Sequence, residues 1–405
     1  MIDSIYTSWL YWLGVAVLLV SACIFTRSRL FDFRMLYFLV ISQYVVHATY
    51  AFGLYDSITI FCFLFFLLTI FFAATPFAGR RVHFQIFSLF SGRLENRFVS
   101  TAKCYLLIYY SLRLLIYPTH FGPLMLDERL AAQQDNRVLF FLGLAVGPAI
   151  AATIFSWLAN GRRKFNGFDW LILFLMGYGV LASGSKAALI PVVISYFGVR
   201  IYLGERAPPI SYIVIALIAL GLLTSILLLR SFFPELSTTE VLALLQYRIA
   251  ANTDVLEYLY VLEMRPQDFP FAGFGALAPM FSKLIGYPFE FNAGTWLHGA
   301  RFGDWSGFGP NSGPVMDYYA NFGWFGLCAA ILIGIAMRAA VAARNVIGCS
   351  ALSLIPMSLL DSAMLTIALA TWFGIYLVLR VTITFRLSSA GSLFSSKKAS
   401  LANAI

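Results

Sequence analysis

The sequence predicts an all-α polytopic membrane protein with about eleven transmembrane helices. Three observations predict it. Of the 405 residues, 60% are hydrophobic and only 12% are charged, whereas globular domains run at about 45–50% apolar and about 25% charged. A mean hydropathy of +0.81 leaves too little polar surface to cover a water-soluble body of this size. The apolar residues also come in stretches of about 20, the length a helix needs to cross a bilayer core of about 30 Å. Together these exclude a cytosolic enzyme, a secreted disulfide scaffold and a disordered chain. The net charge of +9 raises nucleic acid as a partner, but that requires the charges to cluster on one water-facing surface.

The stretches lie near 5–25, 35–54, 57–76, 99–118, 138–158, 167–183, 186–204, 210–231, 314–338, 347–362 and 364–384. The sixth and seventh are separated only by Ser183-Gly184-Ser185, which predicts a tight helical hairpin. The tenth is short, with a soft break at Asp361. This divides the chain into a membrane bundle (1–231), a long loop (232–313), C-terminal spans (314–385) and a tail (386–405).

The connections carry charge unevenly. Arg27, Arg29, Arg34, Arg80, Arg81, Arg93, Arg97, Arg162, Arg163 and Lys164 fall in alternate turns, and Arg200, Arg206, Arg338, Arg344, Arg380, Arg386, Lys397 and Lys398 continue that side. It holds 18 of the 28 basic residues and four of the 19 acidic ones (Asp32, Glu95, Asp169, Glu205). The positive-inside rule makes this side cytoplasmic, so the N-terminus is outside and the C-terminus inside. Most of the excess charge is then an orientation signal and not a nucleic-acid footprint.

Val20-Ser21-Ala22-Cys23 resembles a lipoprotein cleavage box, but a signal peptide carries positive charge before its apolar core, and no Lys or Arg precedes Arg27. All five cysteines (Cys23, Cys62, Cys104, Cys328, Cys349) fall in or beside predicted spans, so no disulfide framework or zinc spacing is expected.

The cytoplasmic connections are short and basic, with no glycine-rich phosphate loop. Long connections lie on the external side instead, at about 119–136 and 232–313, and long loops on a rigid scaffold are usually functional. In the longer loop, Ser237-Thr-Thr-Glu240 is a capping box that opens a helix to about Glu263, with Leu242, Leu245, Ile249, Leu256 and Leu259 at helical spacing. Arg248 and Asn252 share one face of it. Arg265 to Pro279 is loop. Gly294 to Pro314 then holds six glycines and four aromatics together with His298, Arg301 and Asp304. Glycines let backbone approach a ligand closely. Flat rings such as those of Trp296 and Trp305 can stack on a sugar.

Basic residues on the external side or buried near it carry the sharper signal. Lys186 opens the seventh span, Arg113 is buried near the outer end of the fourth, Arg230 closes the eighth, and Arg248 and Arg301 come from the loop. A charge within a span is a functional candidate by default. Guanidinium groups grip phosphate oxygens in pairs and stay charged, so cations converging at this level suit a lipid-linked pyrophosphate. Each has a plainer reading. Arg113 and Arg230 can snorkel to headgroups, Lys186 can anchor at the interface, and Arg248 or Arg301 can form a structural salt bridge. His298 is more commonly a satisfied loop histidine than a catalyst. Asp127-Glu128 has the look of a metal pair, but Arg129 beside it makes a local ion pair the expected reading, and no metal or other cofactor is expected.

Three pieces carry a family resemblance: Ser183-Gly-Ser-Lys-Ala-Ala188 opening a span, the Arg248 helix in a long external loop, and Gly309-Pro-Asn-Ser-Gly-Pro-Val-Met-Asp-Tyr-Tyr-Ala-Asn-Phe-Gly-Trp-Phe-Gly326 running into a span. The arrangement resembles the Wzy-type O-antigen polymerases and, more distantly, the O-antigen ligases. Topology covers nearly the whole chain, and the motifs about 60 residues. The resemblance implies a GT-C-like membrane glycosyltransferase of the bacterial inner membrane. Such an enzyme takes undecaprenyl-pyrophosphate-linked oligosaccharides at the periplasmic face and moves the growing glycan onto a new repeat unit. A flippase and a chain-length regulator are implied partners; nucleic acid is not. Arg248 and Arg301 occupy the family's arginine positions, while Lys186 stands where relatives carry Arg. Asn311 and Tyr318 of the matching segment join the binding candidates. Transfer from a pyrophosphate donor needs charge stabilisation of the leaving group, which fixed cations supply, and a base near the acceptor hydroxyl. His298 and Asp317 are the leading base candidates, followed by Asp304.

Two competing readings are a transporter of lipid-linked oligosaccharide and a ligase. The asymmetry of the loops disfavours a transporter. A ligase's loop signature is His followed by Asn, and here Gly299 follows His298. A membrane O-acyltransferase would require a buried histidine in a span, for which His47, His83 and His120 make a poor case.

Overall fold

The computed structural model describes residues 8–29, 32–74, 92–116, 142–143, 145–160, 165–183, 190–205, 237, 253–264, 268, 293–303 and 313–355. Every regular element among the described residues is helical. In order they are α1 (Trp9–Thr26), α2 (Phe33–Phe52), α3 (Ser57–Ala73), α4 (Gly92–Ile116), α5 (Val146–Ala159), α6 (Gly167–Ser183), α7 (Ile190–Tyr202), α8 (Asp254–Val261), α9 (Ala293–Phe302), α10 (Gly313–Phe322), α11 (Leu327–Ala343) and α12 (Val346–Leu352). A 3-10 turn, Gly323–Gly326, joins α10 to α11. Three segments are long and apolar enough to cross a membrane: Trp9–Thr26, Phe33–Phe52 and Gly323–Ala343. Ser57–Ala73, Val146–Ala159, Gly167–Gly179 and Pro191–Tyr202 are shorter apolar helices. The expected spans at 210–231 and 364–384 lie outside the described residues.

The first turn shows how the chain reverses. Arg27 closes α1 in the left-handed conformation (φ 53°), and the Ser28 N–H returns to the Cys23 carbonyl at 2.9 Å, which satisfies the helix end. Asp32 caps α2 by accepting from the Arg34 N–H at 2.9 Å. The Arg34 guanidinium then closes on Asp32 at 2.8 Å and on the Thr26 carbonyl at 3.1 Å. Arg34 is therefore a buried clamp on this turn as well as one of the charges that the sequence assigns to one side. At the other end of α2, Gly53 (φ 85°) stops the helix, and Asp56 caps α3 through the Ile58 N–H at 2.8 Å. These turns define two ends of the bundle, the Arg27 end and the Gly53 end.

α3 packs on α2 and α11. A Cβ at Gly334 would lie 2.7 Å from the Thr69 carbonyl, so α11 rests on α3 backbone to backbone. Ala330, Met337 and Ala340 continue the buried stripe of α11, a mostly small-residue seam of the kind that brings helices close in membranes. Gly326 lies beside Phe61 and Gly334 beside Thr69, so α3 and α11 run in parallel.

At the Arg27 end, the Tyr202 hydroxyl donates to the Ala340 carbonyl at 2.8 Å and accepts from the Asn345 N–H at 3.0 Å. Asn345 in turn caps α12. Lys103 of α4 binds Asp169 of α6 at 2.6 Å, and Arg200 pairs with Glu205 at 2.8 Å.

The stretch expected as one span over 314–338 is divided. α10 and α11 form a tight hairpin in which a Cβ at Gly326 would lie 2.6 Å from the Tyr318 carbonyl. A continuous helix would hold those residues about 12 Å apart. Gly323 (φ 54°) makes the reversal possible. α10 carries Asp317 and Asn321, but hydropathy averages over a window and does not register where the chain reverses. α10 packs on α2, α3 and α8 as well as α11, and Gly313 (φ 58°) sits directly on the Tyr44 ring.

Candidate functional site

At the Gly53 end, α8 is the centre of the arrangement: it packs on α2, α9 and α10. The sequence predicts one helix from Ser237 to about Glu263; the structure instead starts α8 at Asp254, after a Thr253 that is not α-helical, and residues 238–252 lie outside the described residues. Val255, Leu256 and Leu259 form its buried face, while Asp254 and Glu257 lie in its first turn, where carboxylates suit the positive end of the helix dipole.

α8 is tied to the bundle by a buried polar contact. His47 Nδ1 of α2 lies 2.8 Å from the Thr253 hydroxyl, and both residues are fully buried. The Tyr11 side chain of α1 also lies close to Thr253. One residue before α8, the Thr253 side chain makes no cap bond with the helix; it joins three elements instead. At the other end of α8, Tyr260 packs edge-on against Phe52, with ring centroids 5.6 Å apart.

α9 brings the leading sequence candidates onto α8. His298, Arg301 and Phe302 recur at three- and four-residue spacing and share a face. The sequence places this stretch in the long external loop and reads its glycines as room for a ligand. In the structure Gly294 lies in the first turn and Gly303 (φ 70°) ends the helix, so those two glycines bracket a short helix. The Arg301 guanidinium lies 4.6 Å from the Tyr258 ring centroid and 5.0 Å from that of Phe302. Both of its terminal nitrogens reach a single oxygen, Glu257 Oε1, at 3.4 Å. Such cation–ring contacts contribute about 0.5–2 kcal/mol, depending on desolvation; a slack, partly open ion pair contributes about 0–1 kcal/mol. The rings hold the guanidinium at least as firmly as the carboxylate does.

His298 Nδ1 lies 3.4 Å from the Tyr258 hydroxyl, and its ring centroid is 4.9 Å from that of Phe302. Burial raises the Tyr258 phenol above its ordinary pKa; the nearby Asp254 and Glu257 charges add to this, and Arg301 opposes it. Tyr258 is therefore a neutral hydroxyl at physiological pH, and its oxygen can accept from His298 Nδ1–H, the tautomer that leaves Nε2 free as a base. Trp296 is half-buried against the core.

The remaining candidates separate into groups. Asp317 is buried on α10, 3% exposed. Tyr318 stacks on Phe65 of α3 at 6.1 Å, and Tyr319 packs on Phe61 at 4.5 Å. Arg113, expected to be buried, is half-buried in the last turn of α4, in the layer that α4 forms with α5, α6 and α12. Arg248, Lys186, Arg230, Asn252, Asp304, Trp305 and Asn311 lie outside the described residues.

Sequence reasoning missed Glu257, Tyr258, Phe302 and the His47–Thr253–Tyr11 tie. The signal for the tie was present: Ser42, Gln43, Tyr44 and His47 interrupt an otherwise apolar stretch, and polar residues within a span are functional or structural anchors by default. No protein-family model matches the chain, and no curated protein or solved structure matches it.

Proposed function

We propose that this chain is a bacterial inner-membrane glycosyltransferase of the O-antigen polymerase type, with about eleven spans, a GT-C-like architecture and its chemistry on the periplasmic side. The observation that carries the reading is the α8–α9 cluster, where a ring-held arginine, a histidine–tyrosine pair and flat aromatic faces meet beside a membrane bundle. The described connections with the basic excess (Arg27, Arg29, Arg34, Arg200, Arg344) gather at the opposite end. By the positive-inside rule that end is cytoplasmic and the cluster is periplasmic. Tyr55, Trp324 and Phe325 are exposed near the Gly53 end, which suits aromatic residues at a membrane interface.

In the proposed reaction the acceptor hydroxyl oxygen of a new repeat unit bonds to the anomeric carbon of the growing glycan. The bond from that carbon to the carrier pyrophosphate breaks, and the pyrophosphate leaves with the electron pair. Arg301, with Arg248 and Lys186, stabilises that leaving charge. His298 takes the hydroxyl proton and Tyr258 orients its ring. His298 is half-buried at the rim while Asp317 is enclosed in the bundle, which favours His298 as the base. Tyr258, Phe302 and Trp296 supply stacking surface for sugar.

The test is glycan from cells lacking the gene. Single-unit caps on the surface lipid are expected. Loss of every unit from the lipid core would instead indicate a ligase, and lipid-linked units retained in the cytoplasmic leaflet a transporter.

A further inference from the structure

The contacts around Arg301 are of two kinds. Two rings, Tyr258 and Phe302, flank the guanidinium at 4.6 and 5.0 Å. Among the described residues the carboxylate it meets is Glu257, which offers a single oxygen at 3.4 Å to both terminal nitrogens. A charge-assisted bond of full strength is about 2.7–2.9 Å long, and a paired grip uses two acceptor oxygens. The ion pairs at the Arg27 end meet that standard, at 2.6 to 2.8 Å; this one does not. Both partners are also partly open, with side-chain exposures of 22% for Arg301 and 20% for Glu257, so an anion can reach them.

We infer that Glu257 is an exchangeable counter-ion: it occupies Arg301 in the resting protein and yields it to a phosphate oxygen of the lipid carrier, while Tyr258 and Phe302 keep the guanidinium in place. The inference rests on the reading of Arg301 as a pyrophosphate ligand and adds a positioning residue to it. A phosphate offers two or three oxygens at bonding distance where Glu257 offers one at long range, so the exchange favours the carrier. After transfer, the carboxylate competes for the same guanidinium and assists release of the spent carrier. Glu257 thus weakens binding of substrate and product alike, and removing its charge tightens both.

The experiment measures binding of farnesyl pyrophosphate to the full-length protein in detergent micelles, for wild type, Arg301→Ala, Glu257→Gln and Glu257→Asp. Gln keeps the shape and the acceptor oxygen without the charge; Asp keeps the charge. The expected result is that Arg301→Ala loses binding and Glu257→Gln binds about two- to five-fold tighter at low ionic strength, the range that a partly exposed ion pair sets. That gain shrinks as salt rises, and Glu257→Asp stays near wild type. With lipid-linked donor, Glu257→Gln lowers KM and lowers kcat, because release slows. If Arg301→Ala loses binding while Glu257→Gln binds equally or more weakly, Glu257 is a structural partner and the inference is overturned, with the Arg301 assignment intact. If Arg301→Ala binds as wild type does, the pyrophosphate assignment fails, and the counter-ion inference with it.

Discussion

The two ends of the bundle hold their charges in different ways. At the Arg27 end, Arg34–Asp32 and Lys103–Asp169 are short and mostly buried, and each spans a turn or joins two helices. At the Gly53 end, Arg301 rests on rings and meets Glu257 at a slack 3.4 Å. Short buried pairs resist rearrangement, because removing one partner leaves an uncompensated charge. A slack pair on an aromatic seat can change partners at little cost. The difference separates charges that build the fold from charges free to meet a ligand.

Substitutions at the two ends should therefore fail differently. Arg301→Ala should produce the largest functional loss, about 100- to 1000-fold in polymer formed per folded molecule, the scale for deleting one stabilising donor. Its thermal unfolding in detergent should stay near wild type. Lys103→Ala should do the reverse, costing about 3 kcal/mol of stability by stranding Asp169, with activity per folded molecule retained. Pairing Lys103→Met with Asp169→Leu should recover most of that stability, since apolar replacement of both partners is tolerated. If the double variant is as unstable as the single, the Arg27-end pair is more than a structural staple.

Two smaller effects sharpen the comparison. Gly326→Ala should destabilise by about 1–3 kcal/mol, because its Cβ would press on the Tyr318 carbonyl at 2.6 Å and force the hairpin apart. Thr253→Val should cost about 1 kcal/mol or more by removing the His47 partner. It should also raise proteolytic nicking around α8, measured by limited digestion, because the tie that seats this helix on α2 is gone.

The sequence anticipates the helical class and many element positions. The stretch at 167–183 coincides with α6, and those at 35–54 and 57–76 lie close to α2 and α3, because apolar length and capping residues such as Asp32 and Asp56 are local signals. Four things were not legible. The hairpin at Gly323–Gly326 escapes because hydropathy averaged over a window carries no direction, so a stretch that doubles back reads as one that continues. α9 escapes because glycines that bracket a helix resemble glycines in a loop. Within the candidate site, His298 and Arg301 stand out by residue type, but Glu257 and Tyr258 acquire meaning only from the packing of α8 on α9. His47 and Thr253 lie 206 positions apart, and no local pattern connects them.

In the proposed reaction this protein transfers glycan from a pyrophosphate carrier, with Arg301 holding the leaving group. The most direct measurement reconstitutes the purified protein in liposomes with lipid-linked repeat units and follows multi-unit product and free carrier pyrophosphate together. The account predicts that wild type forms both in proportion, one carrier released per bond made, and that Arg301→Ala forms neither at a comparable rate. Multi-unit product at wild-type rate from Arg301→Ala, or no product from well-folded wild type supplied with its native repeat unit, would contradict it.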